Sequence, residues 1–180
     1  DAAGSRLTAA GVEAVAEMER VGIMLDVSHL GVGGVDHLLE IATRPVIATH
    51  SSARALLDHH RNLSDAQLRG IADNGGVVCL NFYAPFLDSG EASIDRLIDH
   101  IEHIAGVVGV DRVGLGPDFV REVLEDTMAP CCDWEAPAPF SGEEFLPGLE
   151  GPEGLPLVTE ALLRRGWAEA RRCTEMCSTP

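Results

Sequence analysis

The chain contains no lysine: all 13 of its basic residues are arginine, set against 29 acidic residues, for a formal charge of −16 at pH 7. A protein that grips a nucleic-acid backbone needs a positive footprint, so this balance excludes that class of partner. The lysine deficit, alongside abundant Ala, Gly and Arg, reads as coding bias rather than chemistry, and the acidity speaks to solubility. No apolar run approaches the roughly 20 residues that a membrane-spanning helix needs. Asp1–Arg6 is polar and no apolar stretch follows it, so nothing at the start reads as a signal peptide. A soluble protein is the expectation, with the cytoplasm as its default location. The five cysteines, Cys79, Cys131, Cys132, Cys173 and Cys177, are odd in number and lack finger-like pairing. Ordinary thiols are expected, not a disulfide framework or a zinc finger.

What is present is a repeating cycle. Val12, Val15, Met18 and Val21 form one stripe of a helix that Thr8 caps and Gly22 stops. Ile23–Val27 then reads as a short strand buried on both faces, as in parallel sheets. Val35, Leu38, Leu39 and Ala42 mark a second helix, and Val46–Thr49 a second strand. Ser64-Asp65-Ala66-Gln67 is a capping box opening a third helix through about Ala72. Asn74-Gly75-Gly76 breaks it ahead of a strand at Val77–Phe82. Ile94, Leu97, Ile98, Ile101, Ile104, Ala105 and Val108 give the most strongly amphipathic helix, closed by Gly109 and followed by a strand at Arg112–Leu115.

Four strand–helix units of this kind predict an α/β protein with a parallel sheet. A closed (β/α)8 TIM-type barrel needs eight units and about 250 residues, so the pattern fits a partial barrel of about four βα units. A doubly wound open sheet is the other arrangement the periodicity allows. Residues 1–180 read as one incomplete domain: units over 1–119, a Pro-, Gly- and acid-rich loop over 120–154, and a terminal helix and tail over 155–180. The terminal helix is expected near Leu157–Arg165, with a frayed tail from Trp167 onward.

The polar residues of interest follow the strands. His29 follows the first, His50 the second, Tyr83 the third and Asp118 the fourth. In a parallel barrel all four meet at the rim where active sites are kept. Two imidazoles on neighbouring strand ends can share one zinc or similar metal; a hydrogen-bonded structural role serves a strand-end histidine equally well. Arg61, beside Asn62, can clamp a carboxylate or simply pair with Asp58 or Asp65. Asp118 can carry protons, anchor an amine, or cap the next turn. His37, His100 and His103 sit on helices and read as packing or surface residues; His59 and His60 precede Arg61 without standing out.

These residues lie in motifs. Ile23-Met24-Leu25-Asp26-Val27-Ser28-His29, Thr49-His50-Ser51-Ser52-Ala53-Arg54-Ala55, Arg61-Asn62, Asn74-Gly75-Gly76-Val77-Val78, Asn81-Phe82-Tyr83, Asp99-His100-Ile101-Glu102-His103-Ile104 and Gly109 through Phe119 occur in this order. The series resembles the membrane (renal-type) dipeptidases, a family of zinc peptidases, from about Leu7 to Phe119, with a weaker trace at Gly154–Trp167. The resemblance implies a barrel with two zinc ions at its rim that hydrolyses dipeptides, often with a D-residue at the C-terminal position. It implies that His29 and His50 bind the second zinc, that Arg61 holds the dipeptide carboxylate with Asn62 and Tyr83 nearby, and that Asp118 moves protons. The family's His-x-Asp ligand pair and bridging Glu have no counterpart here, so at most one partial metal site is expected. Val120-Arg121 replaces the family's usual Asp-Gly, and the closing Gly-Asn helix is absent from the tail. These departures raise two expectations: an isolated chain that is inactive or marginally folded, and a homodimer or a complementing N-terminal half as partner. Another two-metal barrel amidohydrolase and a non-catalytic half-barrel are the alternative functions.

Overall fold

A computed structural model describes residues 4–120 and 144–167. Cys131, Cys132, Cys173, Cys177 and the tail beyond Trp167 lie outside the described residues. The elements run α1 (Ala9–Val21), β1 (Leu25–Asp26), α2 (Val32–Ile41), β2 (Val46–Ser51), α3 (Asp65–Asp73), β3 (Val78–Leu80), α4 (Ile94–Val108), β4 (Val113–Leu115) and α5 (Leu155–Arg164), with single 3-10 turns at Ala84–Phe86, Val110–Arg112 and Pro152–Gly154. Local chemistry explains the boundaries. Thr8 accepts from Gly11 N at the start of α1, and Gly22 ends it in the left-handed region at φ 83°. Ser64 and Gln67 make the reciprocal capping box at the start of α3.

The four strands are all parallel and lie in the order β1-β2-β3-β4. A doubly wound sheet reverses its strand order at a switch point; this strictly sequential order does not, and it is that of one half of a barrel. Among the described residues, helices cover one face of the sheet. Leu25, Val27, Val46, Ala48, Val78 and Leu80 point into a core shared with Leu38 of α2, Leu68 and Ile71 of α3, and Leu97, Ile98, Ile101 and Ile104 of α4. The alternating positions Asp26, Ile47, Thr49 and Cys79 are less buried. The expectation of strands buried on both faces is therefore corrected among the described residues: this sheet has a covered and an open face.

Two strands are also shorter than their apolar runs. Ile23 and Met24, 53% and 62% exposed, lead into β1 without pairing, and β3 ends at Leu80, with Asn81 N making a last bond to Ser51 O at 3.3 Å. Apolar side chains made the runs; hydrogen-bonded pairing ends sooner. Residues 144–149 are not simply loop: Phe145, Leu146 and Leu149 are core residues, and Tyr83 bridges Phe145. Trp167 is not frayed. It packs against the core and its indole donates to Glu102 at 3.3 Å.

His100, fully buried on α4, joins the units together. Its Nδ1 accepts from Ala53 N at 3.1 Å, so its Nε2–H donates to Leu87 O at 3.0 Å. Burial pushes this imidazole down to about 4, the Leu87 carbonyl opposing. The unfolded chain titrates near 6.5 and binds more protons between these values, so stability is complete above about 6.5 and falls toward pH 4. The expected loss is roughly 3 kcal/mol. Urea midpoints across that range should show it, and His100→Gln should remove most of the slope.

Candidate active site

The strand ends place three of the predicted residues at one mouth. His29 follows β1 and His50 sits within the end of β2; their Nε2 atoms approach to 2.9 Å, with ring centroids 4.9 Å apart. Asp118, beyond β4, brings its Oδ2 to 4.0 Å from His50 Nε2. Its backbone is in the left-handed region at φ 59°, the only such non-glycine among the described residues. Strain of this kind is held where surroundings dictate it, often at functional sites. Gly116 permits the approach: a Cβ there would lie 1.8 Å from Thr49 O, and its N–H donates to Leu80 O at 3.0 Å.

Arg61 reaches the same mouth from the β2–α3 loop, donating from Nε to Ser28 O at 2.9 Å, beside His29. It pairs with neither Asp58 nor Asp65; its guanidinium lies over Phe86, 5.1 Å from the ring centre. Nη2 is closed off from water and bonds to nothing. An unmet buried donor costs about 1–3 kcal/mol, which a bound carboxylate would relieve. Burial lowers the Arg61 pKa, while Asp118 and Asp26 pull it back up; an arginine so placed remains charged. Tyr83 meets Phe86 edge-on at 4.8 Å, and burial, then Glu144, raises its phenol.

Asn62 sits beneath Arg61. It is 1% exposed, and its Nδ2 donates to Leu57 O at 3.0 Å and Phe86 O at 2.9 Å. With both hydrogens committed to backbone carbonyls it braces the loop that carries Arg61, while its Oδ1, like Arg61 Nη2, is buried with no hydrogen-bond partner. Asn62→Asp, which turns a carboxylate against two carbonyls, is expected to cost about 2–3 kcal/mol, read from urea denaturation.

Sequence reasoning missed the supports. Arg54 gathers the loop by donating to His59 O, His60 O and Asn62 O, the last at 2.6 Å. His59 accepts the Arg61 N–H at 3.2 Å and stacks on Phe86. Asn81, wholly buried, donates to Asp118 at 3.3 Å and accepts Tyr83 N at 2.6 Å. Asp26 accepts from Ser28 and Thr49, and Thr49 in turn meets His50 Nδ1 at 2.8 Å. Burial raises the Asp26 pKa, yet the Thr49 and Ser28 hydrogen bonds outweigh it and hold the carboxyl below its ordinary range. Asp26, Thr49, Arg54 and Asn81 all sit inside the motifs, but only strand register shows what they touch.

The imidazole pair fits two positions around one metal. Ligand nitrogens about 2.0–2.1 Å from a tetrahedral ion lie a little over 3 Å apart, close to the spacing here. Burial, then Arg61 and His50, lower the His29 pKa and so favour the neutral, ligating form. Among the described residues no group of three His, Cys, Asp or Glu is gathered for a metal. The pair offers two nitrogen donors and no third.

A parallel half-barrel with two converging imidazoles, a carboxylate and a guanidinium at its rim is the architecture of a metallohydrolase barrel. The chain belongs to the membrane dipeptidase family, peptidase family M19, whose description matches residues 1–129. The family is one of metallopeptidases, so a metal is the family's cofactor. It is 45% identical over 116 residues to an uncharacterized dipeptidase of Schizosaccharomyces pombe, covering 63% of this chain and 28% of that one. With dipeptidase verJ of Clonostachys rogersoniana it shares 31% identity over 156 residues, 87% of this chain and 35% of the relative. A Rhodobacter sphaeroides metallopeptidase, liganded with a phosphinate mimic of the dipeptide L-Ala-D-Ala, superposes with a TM-score of 0.75 at 34% identity, covering 93% of this chain and 43% of that one. The chain thus spans about a third of the length of the curated relatives it matches. Its fold is a partial (β/α)8 barrel.

Proposed function

We propose that the protein hydrolyses free dipeptides with zinc as its metal. The observation that carries this is the convergence of His29 and His50 Nε2 at 2.9 Å, beside Arg61 and Asp118. His29 and His50 would hold the ion, and zinc supplies Lewis-acid polarisation of the scissile carbonyl when bound. Arg61 takes the substrate's C-terminal carboxylate in its fork, above Phe86, with Tyr83 edge-on against that ring. That grip fixes where the peptide bond lies. Asp118, held by Asn81, takes the proton from the attacking water and delivers it to the leaving amine as the C–N bond breaks. The relative liganded with the L-Ala-D-Ala mimic supports a dipeptide, including a D-residue, as the substrate class.

The test compares L-Ala-D-Ala with its C-terminal amide, using the intact protein and added zinc. Turnover of the free dipeptide with little of the amide is expected. Equal cleavage of both would remove the carboxylate clamp, and hydrolysis of cyclic amides in preference to either would favour the amidohydrolase reading.

A further inference from the structure

Asp26 touches neither imidazole, yet the hydrogen bonds leading from it determine which nitrogen of His50 carries a proton. Its Oδ1 accepts from Ser28 N at 3.0 Å, Ser28 Oγ at 2.7 Å and Thr49 N at 3.1 Å, while Oδ2 accepts the Thr49 hydroxyl. The same Thr49 Oγ1 lies 2.8 Å from His50 Nδ1. An ionised carboxylate only accepts, and a hydroxyl has one proton to give. That proton is committed to Asp26, so toward His50 the hydroxyl presents a lone pair. Nδ1 must then be the protonated nitrogen. Ser28 Oγ fixes the backbone of the same residue, accepting His50 N at 3.0 Å. Free neutral histidine in water favours the opposite form, with its proton on Nε2, so this chain reverses the ordinary preference.

We propose that Asp26 is a positioning residue that, through Thr49, locks His50 in the Nδ1–H form and so delivers an unprotonated Nε2 to the mouth. That is the atom 2.9 Å from His29 Nε2, and only a lone pair there can ligate a metal. The consequence for metal binding rests on the zinc reading above; the position of the proton does not. Both ring forms are neutral, and only one proton changes place.

The sharpest test is Asp26→Asn, because its outcome follows from the donors. Two of the three groups on Oδ1 are backbone N–H groups that cannot be reversed, so the asparagine oxygen stays there. Its NH2 then occupies the Oδ2 position and donates to Thr49 Oγ1. Thr49 turns its hydrogen to His50 Nδ1, and the ring takes the Nε2–H form. Two-bond 1H–15N spectra of the intact, metal-stripped, 15N-histidine-labelled protein at about pH 8.5, above imidazole titration, read this directly. Wild type and T49S should give Nδ1–H at His50, D26N should give Nε2–H, and T49V should lose the bias. Zinc affinity by chelator competition should fall by about 10–100-fold in D26N and T49V and hold in T49S. An Nε2–H ring in the wild type, or an unchanged ring in D26N and T49V, overturns the proposal. A ring that switches while zinc affinity stays constant upholds the proton lock and counts instead against His50 as a ligand.

Discussion

His50→Ala, or His29→Ala, is expected to abolish dipeptide hydrolysis and to weaken zinc binding by well over the roughly 10–100-fold that loss of a supporting partner costs. The reason is geometric. Among the described residues the two Nε2 atoms are the imidazole nitrogens that converge at this mouth, and loss of either leaves a single nitrogen donor there. Neither residue belongs to the apolar core, so the circular-dichroism spectrum should change little. Zinc content after dialysis, measured for both variants, checks the prediction. Retained zinc with retained turnover would mean that the ion is held elsewhere.

Arg61→Ala is expected to raise KM for a free dipeptide by about 30-fold or more, the equivalent of 2 kcal/mol, with a smaller change in kcat. The carboxylate keeps its charge throughout the reaction, so its grip acts on substrate and transition state alike, which places the loss in KM. Arg61→Lys should recover little. A lysine supplies a point charge instead of a fork, and it forfeits the Nε bond to Ser28 O that aims the guanidinium. Steady-state kinetics on one dipeptide settles the split: a kcat loss at constant KM would place Arg61 in the chemical step.

The units were legible in the sequence because each is local. The Thr8 cap, the capping box at Ser64–Gln67 and the stripe of α4 act within a few residues, and all three form as read. That His29, His50 and Asp118 meet was legible from their place after strands, and Arg61 stood out through its motif alone. What was not legible is whatever depends on register and on crossings between units. Asp26 reaches Thr49 only because Leu25 pairs with Val46 and Asp26 with Ile47. His100 reads as a helix-packing residue, but its bond to Ala53 joins residues 47 apart. Asn62 stands beside Arg61 in the sequence, but that its amide spans Leu57 O and Phe86 O depends on how the loop packs. The core positions Phe145, Leu146 and Leu149 lie in a Pro- and Gly-rich stretch with no period to announce them.

The most direct measurement is L-Ala-D-Ala turnover by the intact protein before chelation, after chelation, and after zinc is restored, in wild type and in the His29→Ala/His50→Ala double variant. The account predicts turnover that is lost with the metal and regained with zinc in the wild type, and absent throughout in the double variant. Hydrolysis that survives chelation, or that zinc restores equally without the two imidazoles, would contradict it.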